Sequence, residues 1–267
     1  MKPFFNIFGY QVPTFGMLMV AAALVAWAII SILSKKSNYI KRSDGFYAYL
    51  FGICGAFVGA AALRPITKIF EILIFSDRYD ISSFQDLMGI LFGEIVFYGG
   101  FLGGLVAILI YCRKFKVDTF RLFDIFAPAV AAGHAIGRIG CLLGGCCYGI
   151  EVSNSHPFAI IYPSVSQGAP AGVALLAVPL MEAVFLLVLA VVLVFLVLKL
   201  KKVGYVTTLY LLAYSAWRFI IEFFRGDVAR GGVGFLSTSQ IISVFIFISG
   251  IVYFLRIKRF HLANKEK

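Results

Sequence analysis

His134-Ala-Ile-Gly-Arg138-Ile-Gly-Cys141-Leu-Leu-Gly-Gly-Cys146-Cys147-Tyr148-Gly149 sets a histidine, an arginine and three thiols into otherwise apolar sequence. On a helix, His134, Arg138 and Cys141 fall at i, i+4 and i+7 and project from one face. Five of the sixteen residues are glycine, which lets a second backbone or a ligand come close. Ionisable side chains at bilayer depth are costly, and where they occur they mark candidate functional sites. The rest of the chain reads as the shell that makes this stretch tolerable.

The composition says what that shell is. Of 267 residues, 61% are hydrophobic and only 14% charged, against roughly 25% charged in soluble domains. The apolar runs suit helices of about 20 residues and are too continuous for the alternating strands of an outer-membrane barrel. The expected fold is therefore all-α and polytopic, a single integral membrane domain over residues 1–267. A net charge of +11 would point to nucleic acid in a soluble chain. Here cytoplasmic flanks and anionic lipid headgroups account for it, so no nucleic-acid partner is expected.

Seven spans are expected, at about 13–33, 46–63, 87–112, from 123 through the opening stretch, 173–198, 205–224 and 237–255. The first is too long for a signal-peptide core, and no small-residue cleavage site follows it. Arg64-Pro65 should close the second, leaving 66–75 as a short amphipathic helix at the interface. The loops at 34–42, 112–121, 199–202 and 256–267 hold 16 of the 24 lysines and arginines. Positive loops mark the cytoplasmic side, so the N-terminus is expected outside and the C-terminus inside. The fourth and sixth spans then both end near the outer leaflet.

A second charged constellation, Arg218-Phe-Ile-Ile-Glu222-Phe-Phe-Arg225, places two guanidinium groups around one carboxylate at i, i+4 and i+7. It reads either as a self-satisfied ion pair that fixes packing or, with Arg138 added, as an anion site with positive charge to spare. Guanidinium forks match the oxygens of a phosphodiester. Arg138 itself is either a snorkelling arginine or part of that site. His134, one turn from Arg138, is a general base or simply a histidine hydrogen-bonded to some neighbour. Cys141, Cys146 and Cys147 are packing residues, a nucleophile or metal ligands. Their spacing fits no standard zinc pattern, so neither metal nor cofactor is expected. Glu94 and Glu182 lie inside spans and each needs a partner or a proton. Tyr98, ahead of Gly99 and Gly100, is an acid–base hydroxyl or an aromatic in a glycine-packed helix.

At these residues the sequence resembles the prolipoprotein diacylglyceryl transferase family of bacterial membrane enzymes. Gly137-Arg138-Ile139-Gly140 is similar to the family's central signature, and Tyr148-Gly149 to its aromatic-glycine end. Arg218-Phe-x-x-Glu222-Phe-Phe-Arg225 is similar to its late arginine segment. Pro179-Leu-Met-Glu182 and Asp124-x-x-Ala127-Pro128 resemble two further stretches. The likeness covers nearly the whole chain.

The resemblance implies a multi-pass protein of the bacterial plasma membrane. It would move a diacylglyceryl group from phosphatidylglycerol, or a similar anionic phospholipid, to the lipobox cysteine thiol of a prolipoprotein, releasing glycerol phosphate. His134, Arg138, Arg218, Glu222, Tyr98 and Cys146 are then the catalytic candidates. Arg138, Arg218, Arg225, Gly99, Gly100, Cys141 and Glu182 are the substrate-binding ones. The chain departs from the family pattern where Tyr98 replaces a histidine, Cys141 an asparagine and Gly144-Gly145-Cys146 an Asn-Gly-Glu run. His134 is an added histidine. The rival readings are a transferase moving phosphoglycerol or another lipid-derived group to a different acceptor, and a lipid-binding protein without catalysis.

Overall fold

The structure, a computed structural model, describes residues 4–7, 10–37, 39–74, 97–163, 168–200, 202–227, 232–233 and 235–263. In chain order these form a hairpin of β1 (Phe4–Ile7) and β2 (Tyr10–Pro13), then α1 (Thr14–Ser37), α2 (Arg42–Ile74), α3 (Phe97–Phe115) and α4 (Thr119–Gly144). A second antiparallel pair follows, β3 (Ala159–Ile161) with β4 (Ala174–Leu176), leading into α5 (Val178–Lys199) and α6 (Tyr205–Ile221). A 3₁₀ turn (Glu222–Phe224), the short pair β5 (Gly232–Val233) and β6 (Leu236–Ser237), and α7 (Thr238–Ala263) complete the chain. The fold is all-α and polytopic.

Among the described residues, five helical segments are long and apolar enough to cross a membrane: Thr14–Ser37, Arg42–Ile69, Thr119–Gly144, Val178–Lys199 and Thr238–Arg259. The helix α5 shows why. Val184, Val188, Val191 and Phe195 stand 53–69% exposed along one side, while Glu182, Leu186, Leu193 and Val197 are buried along the other. An apolar stripe that is both exposed and continuous needs lipid, not water, as its solvent.

The chain divides into two compact units, one formed by residues 1–39 with 120–267 and the other by residues 40–119. In the smaller unit α2 and α3 pack through small residues. A Cβ on Gly59 would lie 2.3 Å from the Gly99 carbonyl oxygen, and one on Gly103 would lie 2.3 Å from that of Gly55. Backbones this close are the small-residue packing expected of helices in lipid. The expected break at Arg64-Pro65 does not occur: α2 runs through Pro65 to Ile74, so the described part of the expected interfacial helix, 66–74, continues α2. A proline costs a helix one hydrogen bond, and helices in lipid tolerate it where neighbours satisfy the freed carbonyl. Residues 87–96, with Glu94, lie outside the described residues.

In the larger unit the fifth span starts later than its apolar run. Ala174–Leu176 pair as strand with Ala159–Ile161, and the helix begins only at Val178, with Pro179 in its first turn. Proline is pre-shaped for that position and has no N–H to lose there. Two devices set the direction of α6. Gly204 sits at φ +88°, and a Cβ there would meet Ile257 at 2.2 Å. The buried carboxylate of Asp124, from α4, accepts hydrogen bonds from the Gly204 N–H and from the backbone N–H and hydroxyl of Thr207, the latter two at 2.8 Å. A carboxylate here satisfies donors that the start of a helix leaves open.

Candidate active site

The arginines are placed by three local arrangements. Arg138 sits mid-α4, where Gly140 lets the helix approach α1: a Cβ there would meet the Phe15 ring at 2.9 Å. Arg218 lies in the last turn of α6. Arg225 lies beyond that helix. The 3₁₀ turn tightens the chain after Ile221, and Arg225 leaves it in extended backbone, bridged antiparallel to Gly149. That bridge needs glycine. The Gly149 N–H donates to Leu176 O, the Ile150 N–H to Phe224 O and the Gly226 N–H to Tyr148 O, and a Cβ on Gly149 would meet Leu176 at 2.7 Å. The Tyr148-Gly149 end of the opening stretch therefore fixes the backbone that carries Arg225.

All three guanidinium groups converge on Glu182, which is 0% exposed. Its Oε2 lies 3.1 Å from Arg138 Nη1 and 3.7 Å from Arg225 Nη1, and its Oε1 lies 3.7 Å from Arg218 Nη1. Arg218 also pairs with Glu222 at 2.6 Å and donates to the Ser239 hydroxyl at 2.9 Å. Arg225 forms a two-pronged pair with Asp227, 3.0 Å on each prong.

This corrects two readings of the late arginine segment. Arg225 does not share a helix face with Glu222, because the 3₁₀ turn takes it off the helix. Nor is positive charge left over within the cluster, since Glu182, Glu222 and Asp227 balance Arg138, Arg218 and Arg225. What the cluster holds in reserve is donors. Nη1 of Arg218 and Nη1 of Arg225 are buried without a hydrogen-bond partner among the described residues.

His134 lies one turn before Arg138, and its Nε2 accepts from Arg138 Nε at 3.3 Å, while its ring meets Tyr214 edge-on at 5.0 Å. That lone pair is engaged with the arginine. Cys141, Cys146 and Cys147 lie beside the cluster, their sulfurs all within 4.8 Å of one another. The Cys146 thiol donates to Cys141 O at 3.6 Å, and Cys147 interacts with Arg225. Gly99 and Gly100 belong to the other compact unit, where Gly99 packs on Gly59. The Tyr98 side chain lies outside the described residues.

Several contributors were not picked out from the sequence: Asp227, Tyr214, Ser237 and Ser239. Ser237 carried a signal. Ser237-Thr-Ser-Gln240 is a capping box, with the Ser237 N–H donating to Gln240 Oε1 at 2.9 Å and the Gln240 N–H donating to Ser237 Oγ at 3.2 Å. The same Oγ donates to Glu222 Oε1 at 2.8 Å, so the cap that starts α7 also holds the carboxylate facing Arg218.

Residues 2–256 match the family model for prolipoprotein diacylglyceryl transferase. The chain belongs to that family. It is 34% identical over 255 residues to the phosphatidylglycerol–prolipoprotein diacylglyceryl transferase of Clostridium tetani, covering 95% of this chain and 97% of that one. It is 33% identical to a second such transferase, from Clostridium perfringens, covering 93% and 92% of the two chains. A Dehalococcoides mccartyi relative of the same name is 30% identical, covering 94% of this chain and 91% of its own.

Proposed function

We propose that this chain transfers the diacylglyceryl group of phosphatidylglycerol to the lipobox cysteine of a prolipoprotein, in the bacterial plasma membrane, with its arginine cluster toward the outer leaflet. The observation that supports this most is the convergence of Arg138, Arg218 and Arg225 on Glu182, where the Nη1 groups of Arg218 and Arg225 face the carboxylate at 3.7 Å without a hydrogen bond among the described residues and can donate to an oxygen-rich anion.

In this reading the phosphodiester enters between the arginines and takes the unused donors. The acceptor thiolate attacks the glyceryl carbon that bears the phosphate ester. An S–C bond forms, the C–O bond breaks, and the electron pair leaves on glycerol phosphate. Charge grows on the departing phosphate oxygen, which is where preorganised guanidinium donors act most strongly. Glu182 and Glu222 hold the arginines in position. Arg138 cannot serve the phosphate and His134 with the same N–H. As Arg138 turns to the phosphate it releases His134 Nε2, whose lone pair then takes the proton of the acceptor thiol. Base and anion binder are thereby coupled through one hydrogen bond.

No step runs through Cys146. A diacylglyceryl group on an enzyme thiol would be held by a thioether, and a thioether does not hand its carbon on.

The test is an assay with phosphatidylglycerol labelled in its acyl chains and a lipobox peptide. Label should move to the peptide with release of one glycerol phosphate per transfer, and Arg138→Ala and Arg218→Ala should abolish both. Headgroup binding with no glycerol phosphate released to the lipobox peptide or to any other acceptor would favour the non-enzymatic lipid-binding reading instead.

A further inference from the structure

The three thiols at the end of α4 take no part in the transfer just described, yet the chain goes to some lengths to bring them together. Cys141 lies in the last turn of α4. The chain then folds back, with the Cys146 N–H donating to Cys141 O at 3.1 Å, and both Gly145 and Cys147 adopt left-handed backbone, at φ 73° and 61°. Glycine does this readily, whereas a residue with a Cβ does so only against a steric cost. Cys147 bears that cost, and its conformation brings its sulfur back to the other two. All three sulfurs lie within 4.8 Å of one another.

That triangle is close to the size a metal needs. Three thiolates bound to one ion at ~2.3 Å lie about 4 Å apart, so a small contraction closes the set. A disulfide at ~2.05 Å would draw two sulfurs much closer and leave the third without a role. The surroundings suit a thiolate–metal unit in two further ways. Arg225, paired with Asp227 and Glu182, also interacts with Cys147, so a guanidinium stands beside the sulfur set. Tyr162 is 1% exposed, its hydroxyl has no partner among the described residues, and it lies within electrostatic reach of all three sulfurs. A buried hydroxyl without a partner is uncommon and asks for a ligand atom or a bound water. Thiolate sets select soft d10 ions over magnesium or calcium.

We propose that Cys141, Cys146 and Cys147 form a three-thiolate site for a soft d10 cation of the zinc(II), cadmium(II) or copper(I) class. On binding, three S–H protons go to solvent, three S–metal bonds form and no electrons move. The ion ties the end of α4 to the turn that leads into Tyr148-Gly149, and so to the backbone bridge that carries Arg225. Its structural effect thus falls on a residue of the arginine cluster.

The experiment uses the full chain in detergent, reduced and stripped of metal, titrated with cadmium(II). Expected are a thiolate-to-cadmium charge-transfer band that saturates at one equivalent per chain and a rise in unfolding temperature. Serine at both Cys54 and Cys112 should leave the band unchanged, whereas Cys141→Ser, Cys146→Ser or Cys147→Ser should each weaken cadmium binding by tenfold or more. The decisive measurement is on the wild-type chain, so a variant that fails to fold does not blunt the test. A folded wild-type chain with no saturable band overturns the proposal. So does a band indifferent to Cys147→Ser in folded protein, or a disulfide joining two of the three cysteines in protein as isolated from cells.

Discussion

Arg138 Nη1 stands 3.1 Å from Glu182 Oε2, an ion pair that joins α4 to α5 around a carboxylate with no exposed surface. The pair is one spoke of three, since Arg218 and Arg225 reach the same carboxylate at 3.7 Å. Removing one partner of a buried ion pair costs about 3–5 kcal/mol, because the remaining charge is stranded. Here three guanidinium groups would lose their common counter-charge. Glu182→Gln, which keeps the shape and discards the charge, is expected to lower stability by an amount in that range. Thermal unfolding in detergent measures it, and an unchanged midpoint would mean that the arginines are held by other groups.

Arg138→Lys and Arg218→Lys separate charge from geometry. Lysine keeps the positive charge and loses the planar fork that grips two oxygens at once. If the arginines stabilise charge on the departing phosphate, each change should cut kcat about 10²-fold, the scale of removing one preorganised donor from a developing oxyanion. A loss confined to KM would show that they bind the lipid equally well before and during bond breaking.

His134 has a test of its own. Glutamine places an oxygen near the position of Nε2 and can accept from Arg138 Nε, but it cannot take a proton near neutral pH. His134→Gln should therefore keep affinity for phosphatidylglycerol close to wild type and lose turnover, while His134→Ala should lose both. Full activity in the glutamine variant would leave His134 as a holder of Arg138 and nothing more.

How much of this could be read from the chain depended on the range of each contact. The opening stretch carries a local signal: at helical spacing His134 and Arg138 must be neighbours, and they are, at 3.3 Å. Arg218 and Glu222 obey the same rule. Arg225 does not, because the 3₁₀ turn that takes it off α6 follows from how Tyr148-Gly149 and Leu176 receive the chain, not from its own neighbours. Asp227 stayed hidden in a glycine-rich loop for the same reason, and with it the charge balance of the cluster. The early start assigned to the fifth span came from apolar character alone, which does not separate buried strand from helix over so short a run. The capping box at Ser237 was legible. What it could not announce is that its serine also holds Glu222.

Asp124 allows the fold to be perturbed away from the arginines. Its carboxylate receives the Gly204 and Thr207 N–H groups and the Thr207 hydroxyl, all in buried surroundings. Asp124→Ala would leave buried donors without a partner, at ~1–3 kcal/mol for each. The expected result is a lower unfolding midpoint with KM for phosphatidylglycerol unchanged in the protein that remains folded. A raised KM at unchanged stability would place Asp124 in the lipid site instead.

Gly137 asks whether space beside Arg138 is used. A Cβ there would meet nothing within 4 Å, so close helix packing does not require this glycine. In a helix interior alanine is favoured over glycine by about 1 kcal/mol, which makes Gly137→Ala neutral or stabilising for the fold. The methyl group would nevertheless occupy the helix surface next to the guanidinium that the phosphodiester must reach. If the headgroup lies along that surface, Gly137→Ala should raise KM for phosphatidylglycerol about tenfold, roughly the 1.4 kcal/mol of one lost close contact, while the unfolding midpoint holds or rises. Stability and affinity would then move in opposite directions, which a packing defect cannot produce. An unchanged KM would mean that the lipid approaches Arg138 from its other side.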